Sequence, residues 1–381
     1  MEVGPIARMR VAAARGAMAR HGLDALVLAS GPNLSYLSGY PATERTAARP
    51  FFLVLPRAGD LTMIVHAGRE REARRFSWVG DVRVYEQLSV PPLGILCPLL
   101  ATLGRNAVIG MELGGGLQLG ISVASFEEIR AAIAPARVVD ASAAIWDVRV
   151  VKQPVEIEAI RTACTATAEA YERTFSALVP GIRESDARNQ MLVQLACRAA
   201  DGWAVITSGR GNYDLATGPG TSRVIEPGDM VWLDAGCSIS GFSSDFSRAA
   251  IIGSATADQR EAHRAICEIT RAAVMLVTPD RPVSEIAAYC EEAIARLGIP
   301  ITSSVSGLAS RVGHGLGLST TEPPSLAIDD PAVLRPGMVI TIEPGFATDF
   351  GIFHVEQNVA VTEAEPDVLT AYRWDLYQTR C

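Results

Sequence analysis

The chain has no CxxC pair, no excess of basic charge, and no uninterrupted apolar run of the roughly 18 residues that a membrane span needs. Its seven cysteines (Cys97, Cys164, Cys197, Cys237, Cys267, Cys290 and Cys381) are odd in number and scattered. That usage suits a reducing compartment rather than a disulfide framework, with most thiols acting as small buried apolar groups. Cys237 lies beside Asp234 in the sequence, but as one of seven it reads as packing. A net charge of −8 weighs against a nucleic-acid partner, because phosphate binding needs basic patches. The opening Met-Glu-Val-Gly-Pro-Ile-Ala-Arg has no basic region followed by an apolar stretch, so no secretory signal is expected and the setting reads as cytoplasmic. Arg10, Arg15 and Arg20 alternate with alanines and read as one solvated helix face.

What the chain does have is apolar material. It is 49% hydrophobic and 20% charged over 381 residues, enough for about two domains of roughly 150 residues or more. Helical periodicity covers 8–22, and a short buried strand covers 23–28. Segments 51–55 and 61–65 flank a Pro-Arg-Ala-Gly-Asp turn and read as a hairpin. A strand at 107–111 and a helix at 124–133 follow, which predicts an α/β domain with a mixed sheet over 1–150. The second domain, 151–381, begins near Pro154, which is tolerated in a helix first turn. Helices are expected over 155–178, 184–200, 256–277 and 283–297.

Two stretches of the second domain repeat each other. Pro227-Gly228 leads into an apolar strand ending in Asp234, and Pro336-Gly337 into one ending in Glu343. Each acid lies six residues after its glycine; Asp245 and Glu356 follow at seventeen and nineteen. Each unit reads as turn, strand, carboxylate, Gly-rich turn and return strand with a second carboxylate. The domain is then a duplicate: helices outside, one curved antiparallel sheet, and the acids on its inner face. Four converging carboxylates raise one another's pKa unless a cation lies between them. The economical reading is a divalent metal site, of the binuclear kind. His314, between Gly313 and Gly315, adds a nitrogen donor in a loop where backbone can approach closely.

These five residues, in this order and context, resemble the ligand set of the pita-bread metallohydrolases, which include prolidase, aminopeptidase P, methionine aminopeptidase and creatinase. The strings Leu-Asp-Ala-Gly, Ser-Asp-Phe-Ser-Arg, Gly-His-Gly-Leu-Gly-Leu, Thr-Ile-Glu-Pro-Gly and Val-Glu-Gln-Asn-Val are similar to that family's motifs. Residues 31–40, Gly-Pro-Asn-Leu-Ser-Tyr-Leu-Ser-Gly-Tyr, resemble a segment of the creatinase/prolidase N-terminal domain. The resemblance implies that Asp245 and Glu356 bridge two ions, that Asp234 chelates one, and that His314 and Glu343 complete the other. A hydroxide between the metals would attack a carbonyl carbon, and Glu343 would shuttle the proton to the leaving nitrogen. Mn, Fe, Co and Zn all suit such donors. The resemblance further implies a homodimer in which the N-terminal domain of one subunit caps the other's site, with Tyr40, Arg45 and Arg49 as candidates to reach across.

The chain departs from the family at three positions. Thr217 and Thr321 stand where the peptidases carry histidines, and His354 stands where they carry an arginine two residues before the last ligand. Threonine donates a hydrogen bond but cannot become cationic. Thr217, Thr321, His354, Tyr213 and Asp214 are therefore expected to form an altered substrate shell, with His354 as a further proton donor. The leading expectation is a hydrolase of a C–N bond in a dipeptide-like or small amide compound. A lyase or amidinohydrolase acting on a small polar metabolite is the alternative. A non-catalytic binding module is a third reading, against which the complete ligand set counts.

Overall fold

The computed structural model describes residues 3–29, 31–41, 49–88, 90–198, 201–214, 218–304 and 311–379. The chain forms two compact units, Met1–Arg149 and Val150–Cys381.

The first unit is built on a six-stranded mixed sheet. Its order is Asp81–Tyr85, Thr62–His66, Phe52–Pro56, Ala25–Ala29, Val108–Met111, Arg137–Asp140. The expected hairpin is there: Phe52 pairs with Ile64 and Val54 with Thr62, antiparallel. Parallel pairing of Ala25–Ala29 with Val108–Met111 supplies the α/β character. Val27, Phe52, Ile64, Ile109 and Met111 fill the core beneath helices Leu93–Ala101 and Val123–Ile133.

One element was not expected and one expectation changes. Segment 31–40, singled out for its motif alone, contains a helix, Gly31–Ser38, whose Asn33 and Tyr36 are buried. The arginine face of helix Val3–Arg20 is not simply solvated. Arg10 donates to the Tyr36 carbonyl at 3.1 Å with its guanidinium 4.1 Å from that ring, and Arg15 donates to the Pro56 carbonyl at 3.2 Å. Arg20 pairs with Asp147 at 3.0 Å. Long aliphatic stems let these charges lie along an apolar surface and end on polar groups of neighbouring elements.

The second unit carries helices Pro154–Ser176, Glu184–Ala196, Ala257–Met275 and Val283–Ala295, close to the expected bounds. The N–H of Gln153 is met by Glu156 Oε2 at 2.9 Å, and the Thr256 and Gln259 pair caps the third of these helices at 2.9 and 3.1 Å. Instead of one continuous ladder, hydrogen bonding divides the strands into three sheets. The division falls at the repeated acids. In the second hairpin Ile342 pairs with Gln357 and Gly345 with His354, so Glu343 and Pro344 face Val355 and Glu356 across a gap in the ladder. Proline lacks an N–H and cannot extend the ladder. In the first hairpin Asp234 lies opposite Ser247, and pairing lapses at Ser244 and Asp245. The breaks free Asp245, Glu343 and Glu356 from regular sheet geometry, while Asp234 stays within the ladder, paired with Ser247 and Val205.

Candidate metal centre

His314 shows most clearly how the sequence builds the site. A Cβ at Gly313 would lie 2.2 Å from the Thr341 carbonyl oxygen, and one at Gly315 2.1 Å from that of Pro323. Only glycines let the loop pass there. His314 Nδ1 lies 3.0 Å from the Gly315 carbonyl oxygen, which can only accept, so the proton is on Nδ1. The lone pair of Nε2 then faces Asp245 Oδ2 at 3.4 Å and Glu343 Oε1 at 3.5 Å. Burial, and secondarily Arg311, lower the imidazole to about 4, which keeps it neutral and able to ligate.

Three of the carboxylates, Asp245, Glu343 and Glu356, lie close to it. Atoms of Asp245, His314 and Glu356 come within 4.8 Å of one another, as do atoms of Glu343, His354 and Glu356. Asp234 is in neither triplet, but its charge raises the carboxyls of Asp245, Glu343 and Glu356. Burial is the largest cause in all four: it pushes Asp234 up to about 7, Glu343 to about 8 against the pull of Arg311, and Asp245 and Glu356 well above the usual range. Among the described residues, Asp234 Oδ1 and both oxygens of Glu356 are buried without a hydrogen-bond donor. Buried carboxylate oxygens are normally satisfied. Orphaned oxygens beside an uncommitted imidazole nitrogen fit a divalent cation, with mostly oxygen donors and one nitrogen.

His354 differs from His314. Its Nε2 is 3.0 Å from the Glu343 carbonyl oxygen, and its Nδ1 is 3.0 Å from Ser247 Oγ. The carbonyl requires the proton on Nε2, and Nδ1 then accepts from the serine hydroxyl. Burial lowers this imidazole to about 4, so it is neutral. With Nε2 donating to a carbonyl, it is placed neither as a metal donor nor as a free acid.

The remaining sequence candidates are dispersed. Tyr213 is buried, its hydroxyl accepts from the Met230 N–H at 3.0 Å, and burial raises the phenol to about 12. It fastens the loop to the ligand-bearing strand rather than offering its hydroxyl to a substrate. Asp214 and Thr321 are exposed. Beside Thr321, the buried Glu322 is held by Lys152 Nζ at 3.2 Å and by the Ser319 N–H at 3.0 Å. Tyr40 is a core residue of the first unit, edge-on to Phe51 at 5.6 Å. Arg49 is exposed and lines a pocket of about 170 Å³ with Phe51, His66, Gly68 and Arg69. Thr217 and Arg45 lie outside the described residues.

Three residues escaped the sequence reading. Arg311 Nε lies 3.8 Å from Glu343 Oε1. Arg248, almost fully buried, donates to the Glu356 carbonyl at 2.7 Å and to the Ser247 carbonyl at 2.8 Å. Asn358 binds the backbone of Asp245. Arg311 stands three residues before His314, and Arg248 three after Asp245; proximity to a ligand in the sequence was the one available signal.

Comparison with known proteins places this architecture. Residues 158–363 match Metallopeptidase family M24, and residues 10–151 match the Creatinase/Prolidase N-terminal domain. The chain belongs to metallopeptidase family M24, a metallohydrolase with the pita-bread fold in its C-terminal unit. It is 24% identical over 365 residues to "Uncharacterized peptidase YqhT" of Bacillus subtilis, covering 93% of this chain and 96% of that protein. It is 30% identical over 223 residues to an Xaa-Pro dipeptidase of Pyrococcus furiosus, covering 58% of this chain and 62% of that one. The structure of dipeptidase PepE from Mycobacterium ulcerans superposes with a TM-score of 0.83 at 25% identity, covering 99% of both chains.

Proposed function

We propose that the C-terminal unit hydrolyses a C–N bond, in a dipeptide or small amide, at a centre for two divalent ions. One observation carries the reading: both Glu356 oxygens are buried without donors within reach of the open Nε2 of His314, and Asp234 Oδ1, whose charge is felt by Asp245, Glu343 and Glu356, is likewise buried without one. Asp245 and Glu356 would bridge the ions, Asp234 would complete one, and His314 with Glu343 the other. Bound there, the ions would lower the pKa of a water for attack at neutral pH and polarise the scissile carbonyl. The donor set suits Mn, Co, Fe or Zn. Glu343 is the residue to carry the proton from the attacking water to the leaving nitrogen, since its Oε1 and Oε2 both border the cluster, 3.5 Å from His314 Nε2 and 3.9 Å from His354 Nε2. His354, its Nε2–H committed to a carbonyl, is not assigned a proton-transfer role.

The relatives named as dipeptidases make dipeptides the first class to test. Thr217 and Thr321 in place of histidines favour a pocket altered from that of an ordinary Xaa-Pro peptidase. The reading also carries a homodimer and a cytoplasmic setting, on the strength of the resemblance and the cysteine usage. A metal-loaded assay should compare Xaa-Pro dipeptides with small amides, guanidino compounds and sulfonium acids. Weak cleavage of Xaa-Pro dipeptides is expected, reduced about a hundred- to a thousandfold by the loss of a transition-state donor, with efficient turnover of another amide. Xaa-Pro cleavage with kcat/KM at or above roughly 10⁴ M⁻¹s⁻¹ would overturn the altered pocket. Turnover confined to a sulfonium acid would replace the hydrolase by a lyase.

A further inference from the structure

His354 reaches the chain segments that carry all four proposed carboxylate ligands. It lies two residues before Glu356 on its own chain segment. Its Nε2–H donates to the backbone carbonyl of Glu343 at 3.0 Å. Its Nδ1 accepts at 3.0 Å from Ser247 Oγ, two residues after Asp245. Its ring packs on Trp232, two residues before Asp234, with centroids 5.7 Å apart and planes at 32°. Trp232 and Asp234 are two apart on one strand, so their side chains share a face. One imidazole thus touches the Glu343 backbone and residues two positions from Asp234 and Asp245, and itself stands two positions before Glu356. Gly345 makes room for it: a Cβ there would lie 2.9 Å from His354 Cδ2.

We infer that His354 is a positioning residue that sets the register of the four carboxylates. It is neither a metal donor nor the proton donor that its place in the sequence suggests. As a donor, Nε2 would have to surrender its proton, and its lone pair would then face the Glu343 carbonyl oxygen at 3.0 Å. As a proton donor it would have to break that same bond. Its distance of 3.9 Å to Glu343 Oε2 is too long for a hydrogen bond. The neutral ring instead ties the two halves of the duplicated fold: Trp232 and Ser247 belong to the first hairpin, Glu343 and Glu356 to the second. An arginine at this position would bring a longer, charged side chain into a space shaped by Gly345 and Trp232.

The inference rests on the metal-centre reading, and its test separates the two. Full-length wild type, His354→Ala, His354→Gln and Ser247→Ala are stripped with a chelator and titrated with Mn²⁺ by calorimetry, with circular dichroism as the check on folding. His354→Ala should keep the wild-type number of ions but bind them about 10- to 100-fold more weakly, the usual loss on removing a group that orients ligands. Glutamine can place an amide N–H on the Glu343 carbonyl, so His354→Gln should recover most of that loss. Ser247→Ala should show a smaller loss with the same stoichiometry, and it carries the test if His354→Ala does not fold. Wild-type affinity in both His354→Ala and Ser247→Ala overturns the positioning role. Loss of one ion from His354→Gln overturns it too, by making the imidazole a ligand. A wild-type protein that binds no Mn²⁺ removes the metal centre, and this inference with it.

Discussion

The side-chain amide of Asn358 grips the backbone of Asp245 on both sides, although 113 residues separate them. Asn358 Oδ1 accepts from the Asp245 N–H at 3.1 Å, and its Nδ2 donates to the Asp245 carbonyl. Asp245 sits where the strand ladder lapses, so its peptide groups have lost their ladder partners and the amide replaces them. The two hairpins are thereby joined at their second acids, since Asn358 lies two residues beyond Glu356.

Asn358→Ala should destabilise the protein by about 2–4 kcal/mol, because it leaves a buried donor and a buried acceptor unmet. Asn358→Asp, nearly the same shape, should also be destabilising, since it turns an oxygen toward the Asp245 carbonyl. Urea unfolding checks both. An Asn358→Asp variant as stable as the wild type would show that the amide orientation is immaterial.

Much of this site was legible in the sequence, and the reason is periodicity. Two apolar strands, each following a Pro-Gly turn by the same spacing, mark Asp234 and Glu343 as equivalent, and the return strands mark Asp245 and Glu356. Flanking glycines mark His314. What escaped depends on contacts between distant segments. Nothing near Asn358 indicates that its amide serves a residue 113 positions away. Tyr213 stands in the segment around Thr217, and Tyr40 in the segment that the family resemblance makes a candidate to reach across a dimer; neither argument sees burial. In the structure both are buried, Tyr213 against the Met230 N–H and Tyr40 against Phe51, and burial is a property of the fold. His354 stood out by its place two residues before Glu356, but its hydrogen bonds to Ser247 and to the Glu343 carbonyl come from segments distant in sequence. The helix Gly31–Ser38 was hidden by its glycine, proline and serines, poor helix formers that tertiary packing overrides.

In the first unit, Glu112 should make stability depend on pH. It is buried, accepts from Asn33 Nδ2 at 2.7 Å and from the Ala29 N–H at 3.4 Å, and burial raises it to about 7. A carboxyl raised in the folded state binds more protons folded than unfolded, so stability falls as pH rises. The contribution is fully present below the unfolded value of 4.5 and is lost as pH passes through about 7. The shift corresponds to about 3 kcal/mol. Glu112→Gln should flatten the profile between pH 5 and 8, at roughly those values. An unchanged slope in thermal unfolding of the variant would assign the dependence elsewhere.

The buried pair of Lys152 and Glu322, 3.2 Å apart, should be sensitive to loss of one partner. Lys152→Met leaves the Glu322 charge without its counter-ion and should cost about 3–5 kcal/mol. Adding Glu322→Gln to that variant should recover a large part of the loss. A double-mutant cycle in denaturant measures the coupling; strict additivity of the two changes would deny it.

Metal content with its linked stability tests the central claim most directly. Purified protein is stripped with a chelator, reloaded with Mn²⁺ or Co²⁺, and analysed for bound metal alongside its unfolding temperature. About two ions per chain are expected, as for a two-metal hydrolytic centre, with a rise in unfolding temperature because the ions bind only the folded site. Asp245→Ala and Glu356→Ala should abolish both the binding and the rise. Wild-type protein that takes up no metal, or a Glu356→Ala variant that binds it as the wild type does, would contradict the assignment.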